Sequence, residues 1–335
     1  MVKRGIAVIF IMLLLSNCLN GCNYSGKDKT SQKEKKRTVI ALSLIGETHE
    51  WPKGVLYYAE KEVKAVAEEN GWEYKFVVAS DANEQSNQLI ELANEKVDCI
   101  IILPMDGASL KTAAMAVQDV EIPIVIFDRE IPDFVPSATV KGDNSGIGIK
   151  TAAVFNEMFP QGTKVLEFMG DTSTVPQQRT DGYDETIRPN FTKEQVGYTG
   201  WRRDVARKLF ETWVDKHSQE EIDKVGAIFT HDDEIALGIL DALDAYQRDK
   251  SFTKTFDNLK AIASSAGLQE MYRRIEKEDR FTLFSLTYSP AMIKQAIRIG
   301  EKIIKGEDYE EMTIIPTENV TRENVSKYIN DNSPY

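Results

Sequence analysis

The sequence predicts an α/β protein built from two similar lobes that share a ligand cleft. From residue 38 onward, short apolar runs typical of buried strands alternate with stretches in which apolar residues recur at helical spacing. The alternation restarts near residue 138, with no linker rich in proline or glycine between the two series. In the stretch FTHDDEIALG, an apolar run stops at Asp232 and Asp233 and a helical pattern begins. This places carboxylates at the carboxyl end of a strand, where open α/β sheets bind their ligands.

The first series contains four predicted strands and three predicted helices. The strands are predicted over 39–44, 74–79, 99–103 and 124–127, and the helices over 54–70, 84–96 and 110–118. The first helix ends before Gly71, because glycine readily adopts the left-handed conformation that closes a helix. Cys99 opens the third strand, and we expect it to be a small buried residue without a disulfide partner.

The second series is longer. Its strands are predicted over 138–140, 164–169, 195–199, 225–229, 258–263 and 281–285, and its helices over 147–158, 179–187, 204–216, after Asp233 and over 268–277. Trp72 lies on a helix-to-strand turn and Trp213 on a helical face, so we expect both rings to pack in the protein interior.

Residues 1–22 resemble a bacterial lipoprotein signal peptide. Two basic residues precede a short apolar stretch, and the small Gly21 precedes Cys22, which we expect to be lipidated. Cys18 is the rival lipidation site, but a larger asparagine precedes it. Residues 23–37 are polar and end in a basic run, which predicts a disordered tether. An ordinary secretory signal is the alternative, and either form predicts an extracytoplasmic protein. Lipidation adds anchoring to the bacterial cell membrane.

The composition excludes some classes of partner. The chain has 335 residues, of which 42% are hydrophobic, so it can bury cores for two lobes. Its formal net charge is -12 at pH 7, and loss of the two basic residues of the signal would make it about -14. This charge argues against nucleic acid as a partner and suits a neutral or cationic ligand.

Several motifs occur in an order that covers the chain from residue 38 to its end. They are VIALSL, CIIILPMD, IPIVIFDREI, KGDNSGIG, GDTSTVPQQRTDGYDE, AIFTHDDEIALGILDAL and PTENVTRENVSKYI. In this order they resemble the periplasmic sugar-binding proteins of the ribose, galactose and xylose class, which are type I receptors of ATP-driven importers. The resemblance implies two three-layer lobes joined by three hinge strands, with a sugar in the cleft between them. It places residues 38–141 and 289–316 in the N-terminal lobe and residues 142–288 and 317–335 in the C-terminal lobe.

The resemblance also implies which polar residues bind the sugar. Asp128 and Arg129 match an Asp-Arg pair of the family at a strand end. The aspartate accepts hydrogen bonds from sugar hydroxyls, and the arginine guanidinium donates hydrogen bonds to sugar oxygens. A structural ion pair is the alternative for these two residues. Arg179 matches an arginine that reaches the sugar from the second lobe, with Gln178 as a supporting residue. Asp232 matches a position where relatives often carry Asn, although it can also act only as a helix cap.

Aromatic and small polar residues complete the expected site. Trp51, in the loop after the first strand, and Trp201, at a strand end of the second lobe, are expected to sandwich the sugar ring. His49 and Glu50 flank the first tryptophan, and an exposed loop pair is the alternative for them. Ser265 and Thr287 stand where relatives place stronger hydrogen-bonding residues, and we expect both to contact the sugar. His231 is expected to help hold the neighbouring Asp232.

These residues favour a receptor that captures a monosaccharide and delivers it to the permease of an ABC importer. A pentose such as xylose, a hexose and a polyol all remain open. The alternative is a sugar-sensing module that docks on a membrane sensor kinase or chemoreceptor. A DNA-binding repressor with this fold is excluded by the export signal. The chain lacks the motifs of nucleotide-binding and nucleophilic enzymes and any metal-ligand spacing, so we expect no enzymatic activity, no cofactor and no bound metal.

Overall fold

The computed structural model describes residues 37–47, 49–333 and 335. The predicted signal peptide, Cys22 and the predicted tether up to residue 36 lie outside the described residues. Residues Arg37–Tyr335 form one compact unit. This unit contains two six-stranded sheets, each covered by helices. Within the described residues, no helix combines the length and the apolar character needed to cross a membrane.

The first sheet is entirely parallel and has the strand order β11-β5-β4-β3-β1-β2. With strands numbered in chain order, its members are β1 (Val39–Ile45), β2 (Glu73–Ala79), β3 (Cys99–Ile102), β4 (Ile124–Phe127), β5 (Ala138–Gly142) and β11 (Met312–Ile315). Its helices are α1 (Glu50–Asn70), α2 (Ala82–Asn94), α3 (Gly107–Asp119) and α10 (Ile293–Lys305). We call this sheet with its helices the first lobe.

The side chains of the first sheet alternate between two apolar layers. Ile100 and Ile102 of β3 pack with residues of α2 and α3, such as Leu89 and Leu110. Ile101, between them, belongs to the larger core on the opposite face, against α1 and α10. Because successive residues of a strand point to opposite faces, a strand buried on both sides is apolar at every position. The first lobe therefore has three layers.

The second sheet has the strand order β12-β10-β9-β8-β6-β7, and only its edge strand β12 is antiparallel. Its strands are β6 (Lys164–Met169), β7 (Thr192–Tyr198), β8 (Val225–Thr230), β9 (Ala261–Ala266), β10 (Thr282–Thr287) and β12 (Asn319–Val320). Its helices are α4 (Asn144–Met158), α5 (Thr174–Thr186), α6 (Arg203–Lys216), α7 (Gln219–Ile222), α8 (Asp233–Arg248) and α9 (Gln269–Lys277). We call this sheet with its helices the second lobe. Short 3-10 turns lie at Pro290–Met292 and Val325–Lys327.

The chain passes between the two lobes three times. The crossings follow β5, β10 and β11, so both lobes are built from segments far apart in sequence. This is the fold predicted from the sequence, with two α/β lobes and three hinge crossings. The carboxyl ends of β1, β4, β6 and β8 lead into loops that meet between the lobes, as expected for a shared cleft.

Some element boundaries differ from the predictions. Strands β4 and β6 agree with the predicted bounds, but α1 begins at Glu50 and not at Gly54. Pro52 lies in the first turn of α1, where its missing N–H costs no helical hydrogen bond. The negative charge of Glu50 is stabilised by the positive end of the helix dipole. The prediction that Trp51 lies in a loop is therefore wrong. Trp51 lies in the first turn of α1.

Candidate functional site

A cavity between the two lobes brings together residues from seven segments of the chain. Its volume is about 20 Å³. The lining residues are His49, Trp51, Asp128, Arg129, Val175, Arg179, Trp201, Asp232, Ala266 and Tyr288. Seven of them are among the ten ligand contacts expected from the sequence. The cavity is a narrow slot, far smaller than small-molecule sites of roughly 300–1,000 Å³, so the two lobes must separate to admit a ligand.

Asp128 follows β4 with a left-handed backbone, φ 68°, which aspartate tolerates better than most residues. Its side chain is 5% exposed and accepts a hydrogen bond from the Tyr288 hydroxyl. The Asn144 side-chain amide donates to the same hydroxyl at 3.0 Å. Burial raises the pKa of Asp128, and the neighbouring Arg129 opposes this shift. Asp128 in the first lobe is thus linked through Tyr288 to the start of α4 in the second lobe.

Arg129 also connects the lobes. Its Nη1 donates to the carbonyl oxygen of Met105 at 3.0 Å, and its Nη2 lies 3.3 Å from Oδ2 of Asp171, which follows β6 in the second lobe. Burial alone would raise the pKa of Asp171, but Arg129 and the hydrogen bonds of Ser173 outweigh it and hold the pKa below its usual value. The Nε of Arg129 is buried and has no hydrogen-bond partner among the described residues. This donor is available to a ligand.

Arg179 lies inside α5 and is 3% exposed. Its Nε donates to the Asn144 side chain at 2.9 Å, and its Nη1 donates to the Ser265 hydroxyl at 2.9 Å and to the His231 carbonyl oxygen. The guanidinium centre lies 4.7 Å from the centroid of the Tyr288 ring. All three hydrogen-bond acceptors are neutral, and the guanidinium acts on the carboxyl groups of Asp128 and Asp232 in the same cavity through electrostatic attraction.

Asp232 and Asp233 diverge at the start of α8. The side chain of Asp232 caps the helix by accepting from the Glu234 N–H at 2.8 Å, and the same side chain lines the cavity. Asp233 points away from the cavity and accepts from the Ser285 hydroxyl at 2.7 Å and the Gly267 N–H at 2.8 Å. Burial raises the pKa of both carboxyl groups. Capping and cavity lining, which the sequence left as alternatives for Asp232, are therefore compatible.

Aromatic rings form the apolar walls. Trp51 stacks on Phe127 with centroids 6.0 Å apart, and its indole N–H donates to the Tyr288 carbonyl oxygen at 2.9 Å. Trp201 has a left-handed backbone, φ 63°, and its ring stacks with that of His49 at 6.2 Å. Burial, with Arg129 nearby, lowers the pKa of His49 to about 4, so its ring is neutral at pH 7. The two tryptophans thus belong to opposite lobes and line one slot.

Three expected contacts lie outside the cavity lining. Glu50 lies at the outer mouth of the cleft and pairs with Lys53 at 3.5 Å. Ser265 lies inside β9, two residues beyond the predicted strand end, and its hydroxyl is hydrogen-bonded to Arg179 and to a backbone carbonyl. Thr287 accepts from the Glu318 N–H at 2.9 Å, so its side chain serves the hinge crossing.

His231 does not hold Asp232 through its ring. The ring is fully buried, and its Nε2 lies 3.2 Å from Oε1 of Glu167. The interaction with His231 and that with Lys193, which lies 3.1 Å from Oε2, overcome the effect of burial and lower the pKa of Glu167 to about 2. Gln178, the expected support of Arg179, instead lies 3.4 Å from Asn144 and Glu130.

The sequence reasoning missed Tyr288, Val175 and Ala266 in the lining and Asn144 and Asp171 behind it. Tyr288 stands beside the predicted Thr287, and strand alternation decides which of the two faces the cavity. Asn144 lies in the motif KGDNSGIG, but nothing local in the sequence shows that it bridges Arg179 and Tyr288. Among the described residues, no group of three or more His, Cys, Asp or Glu side chains is arranged to hold a metal ion.

Comparison with known proteins gives matches over most of the chain. The family model described as periplasmic binding protein domain matches residues 40–308. A ribose import binding protein from Bacillus subtilis is 24% identical over 267 residues, covering 78% of this chain and 84% of the relative. A xylitol-binding protein from Mycolicibacterium smegmatis is 20% identical over 251 residues, covering 73% and 67%. An ABC transporter solute binding protein from Bacillus halodurans, solved with myo-inositol, shares the fold with a TM-score of 0.75 and 23% identity, covering 88% of this chain and 97% of that one.

Proposed function

Because the chain belongs to the periplasmic binding protein domain family, we propose that it captures a monosaccharide or a polyol between its two lobes and delivers it to an ABC importer. The protein is a sugar-binding protein of the ABC importer class and not an enzyme. The observation that carries the proposal is the narrow slot, in which unused polar groups of Arg129 and Asp232 face a space walled by Trp51 and Trp201.

The polar groups of the slot match the chemistry of a sugar. A sugar hydroxyl both donates and accepts, and its C–H faces pack on flat rings. We assign Arg129 and Arg179 as donors to ligand oxygens, and Asp128 and Asp232 as acceptors from ligand hydroxyls. Ser265 and Thr287 act behind the site, because their hydroxyls are already engaged with the protein.

The class of ligand is narrowed by size and by charge. The slot encloses little space in this arrangement of the lobes, which favours a ligand of the size of a pentose such as xylose, a hexose or a cyclic or linear polyol over an oligosaccharide. The names of the relatives include ribose and xylitol, and one solved relative holds myo-inositol. A neutral ligand suits a wall in which two arginines, Arg129 and Arg179, stand beside two carboxyl groups, those of Asp128 and Asp232.

Closure of the lobes would complete the site. We propose that residues 38–141 with 289–316 move against residues 142–288 with 317–335 about the three crossings, as in hinge closure around a ligand. We further propose that Cys22 is lipidated and holds the protein at the outer face of the cell membrane, near the permease.

A thermal-shift screen of a form beginning at residue 30 tests the binding function. Pentoses, hexoses, polyols and their phosphates are compared at equal concentration. A ligand at about a hundred times its Kd should stabilise the protein by roughly 2.7 kcal/mol. The isosteric Asp232→Asn variant keeps the helix cap and should lose most of the shift given by the best ligand. If no sugar or polyol raises the melting temperature, the assignment of the slot is wrong, and docking of the unliganded protein on a sensor kinase becomes the function to test.

A further inference from the structure

A segment outside the cavity connects the two lobes beside the hinge. It consists of residues 328–333 together with Tyr335, and we call it the strap. On one side it is fixed to α9 of the second lobe, because Gln269 contacts it twice. The Gln269 amide donates to the Tyr328 carbonyl oxygen at 3.1 Å, and its side-chain oxygen accepts from the Asn330 N–H at 2.6 Å.

On the other side the strap reaches α1 of the first lobe. The hydroxyls of Ser333 and Tyr58 lie 3.4 Å apart. The Tyr335 side chain is only 6% exposed and packs on Gly54. A Cβ atom at that glycine would lie 3.1 Å from the tyrosine ring and 2.7 Å from the side chain of Pro290, which follows the second hinge crossing. The absence of a side chain on α1 at Gly54 thus makes room for the ring of Tyr335.

The strap joins two elements that adjoin the ligand site. The helix that Tyr335 packs on, α1, has Trp51 in its first turn. In the second lobe, the strap partner Gln269 is the first residue of α9, which follows β9 and the cavity-lining Ala266. The strap therefore connects a helix start of the first lobe with a helix start of the second.

We propose that the strap, through Tyr335 and its contacts with Gln269, is a positioning device that holds the start of α1 against the start of α9 and so stabilises the closed arrangement of the lobes around the ligand. The predicted effect of the strap on ligand release rests on the proposed sugar-binding function, whereas its effect on lobe opening does not. Opening of the lobes must pull the strap off α1 or off α9, because it is attached to both. Loosening the strap should therefore speed opening, whereas ligand entry into an already open cleft should change little.

The test compares Tyr335→Ala with Tyr335→Phe, which keeps the ring. The best sugar from the thermal-shift screen is the probe, and the tryptophan fluorescence of the slot gives the association and dissociation rates. We expect Tyr335→Ala to raise the dissociation rate by about tenfold with less than a twofold change in the association rate, in line with the general weight of dissociation in affinity changes. Tyr335→Phe should behave as the wild type. Tyr198→Ala, at a tyrosine that is 52% exposed on β7, is the matched control.

A second measurement needs no ligand. Small-angle scattering of the unliganded protein should give a larger radius of gyration for Tyr335→Ala than for the wild type and the control. If Tyr335→Ala does not fold, Tyr58→Phe removes the contact with Ser333 at lower cost and should raise the dissociation rate by two- to threefold. An unchanged dissociation rate together with an unchanged radius of gyration would refute the proposed role of the strap. A changed radius in a protein that binds no sugar supports the strap and refutes the ligand assignment alone.

Discussion

Replacing Asp171 by asparagine should weaken ligand binding without unfolding either lobe. The carboxylate lies 3.3 Å from Nη2 of Arg129, and the two side chains are 29% and 12% exposed. At an effective dielectric constant of 20 the Coulomb attraction at this distance is about 5 kcal/mol. Desolvation offsets much of it, so the net contribution of such a charge-assisted contact is about 1.5–3 kcal/mol. Asparagine keeps the size and an acceptor oxygen, so we expect a loss of about 1–2 kcal/mol, or roughly five- to thirtyfold in Kd.

The effect appears in binding because this pair joins the lobes. Isothermal titration calorimetry of Asp171→Asn with the best ligand measures the change in Kd, and differential scanning calorimetry without ligand measures stability. Asp244→Asn is the matched control, since Asp244 pairs with Arg274 at 2.7 Å within the second lobe at similar exposure. It should lower the melting temperature and leave Kd unchanged. An unchanged Kd in Asp171→Asn would refute the reasoning that the pair stabilises closure.

Three further predictions concern single side chains. In Gly170→Ala the new Cβ would lie 2.2 Å from the Trp201 ring, so the ring must move and affinity should fall at least about tenfold, whereas Gly46→Ala, with its nearest contact at 3.4 Å, should bind normally in the same titration. The pKa of His49 is lowered to about 4, so the unfolded state binds the proton first. The neutral, buried His49 ring therefore contributes fully to the stability of the folded state above pH 6.5, and this contribution is lost as the pH falls toward 4. Between pH 7 and pH 4.5 the free energy of unfolding in urea should therefore fall less for His49→Gln than for the wild type, by up to about 3 kcal/mol. Equal decreases in the two proteins would contradict the lowered pKa of His49. Burial raises the pKa of Cys99 to about 12, so a thiol reagent should label no cysteine in the folded form beginning at residue 30 and one cysteine in urea; labelling of the folded protein would show that the strand opens.

The sequence was most informative where burial is complete. β4 agrees with its predicted bounds because a strand covered on both faces is apolar at every position and ends where polar residues begin. β6 also agrees, although it contains Lys164 and the buried Glu167 among its apolar residues. Helix starts were harder to predict. The first turn of α5, from Thr174, has little apolar periodicity, so the prediction began at Arg179, five residues late. Polar residues at a cavity interrupt the pattern from which helices are predicted.

In the candidate site, too, some residues were predictable from local sequence and others were not. Asp128, Arg129 and Asp232 were predictable, because each immediately follows a strand and the carboxyl ends of strands meet at the cleft. Asn144 and Asp171 were not, since their roles depend on contacts with residues more than 30 positions away in sequence. No periodicity or local motif carries that information. Tertiary packing brings these partners together, within the second lobe for Asn144 and Arg179 and between the lobes for Asp171 and Arg129.

The polar groups of the slot are satisfied only in part, and this is what a closing site requires. Asp232 uses one oxygen to cap α8. Arg129 uses both terminal nitrogens on protein partners, while its buried Nε lies 4.0 Å from Oδ2 of Asp128 and has no hydrogen-bond partner among the described residues. The protein contacts fix each side chain in one orientation, which lowers the entropy cost of binding. The unused atoms then favour closure only when a ligand supplies their partners, because a buried unsatisfied donor costs about 1–3 kcal/mol. A site satisfied entirely by protein would close just as firmly without its ligand.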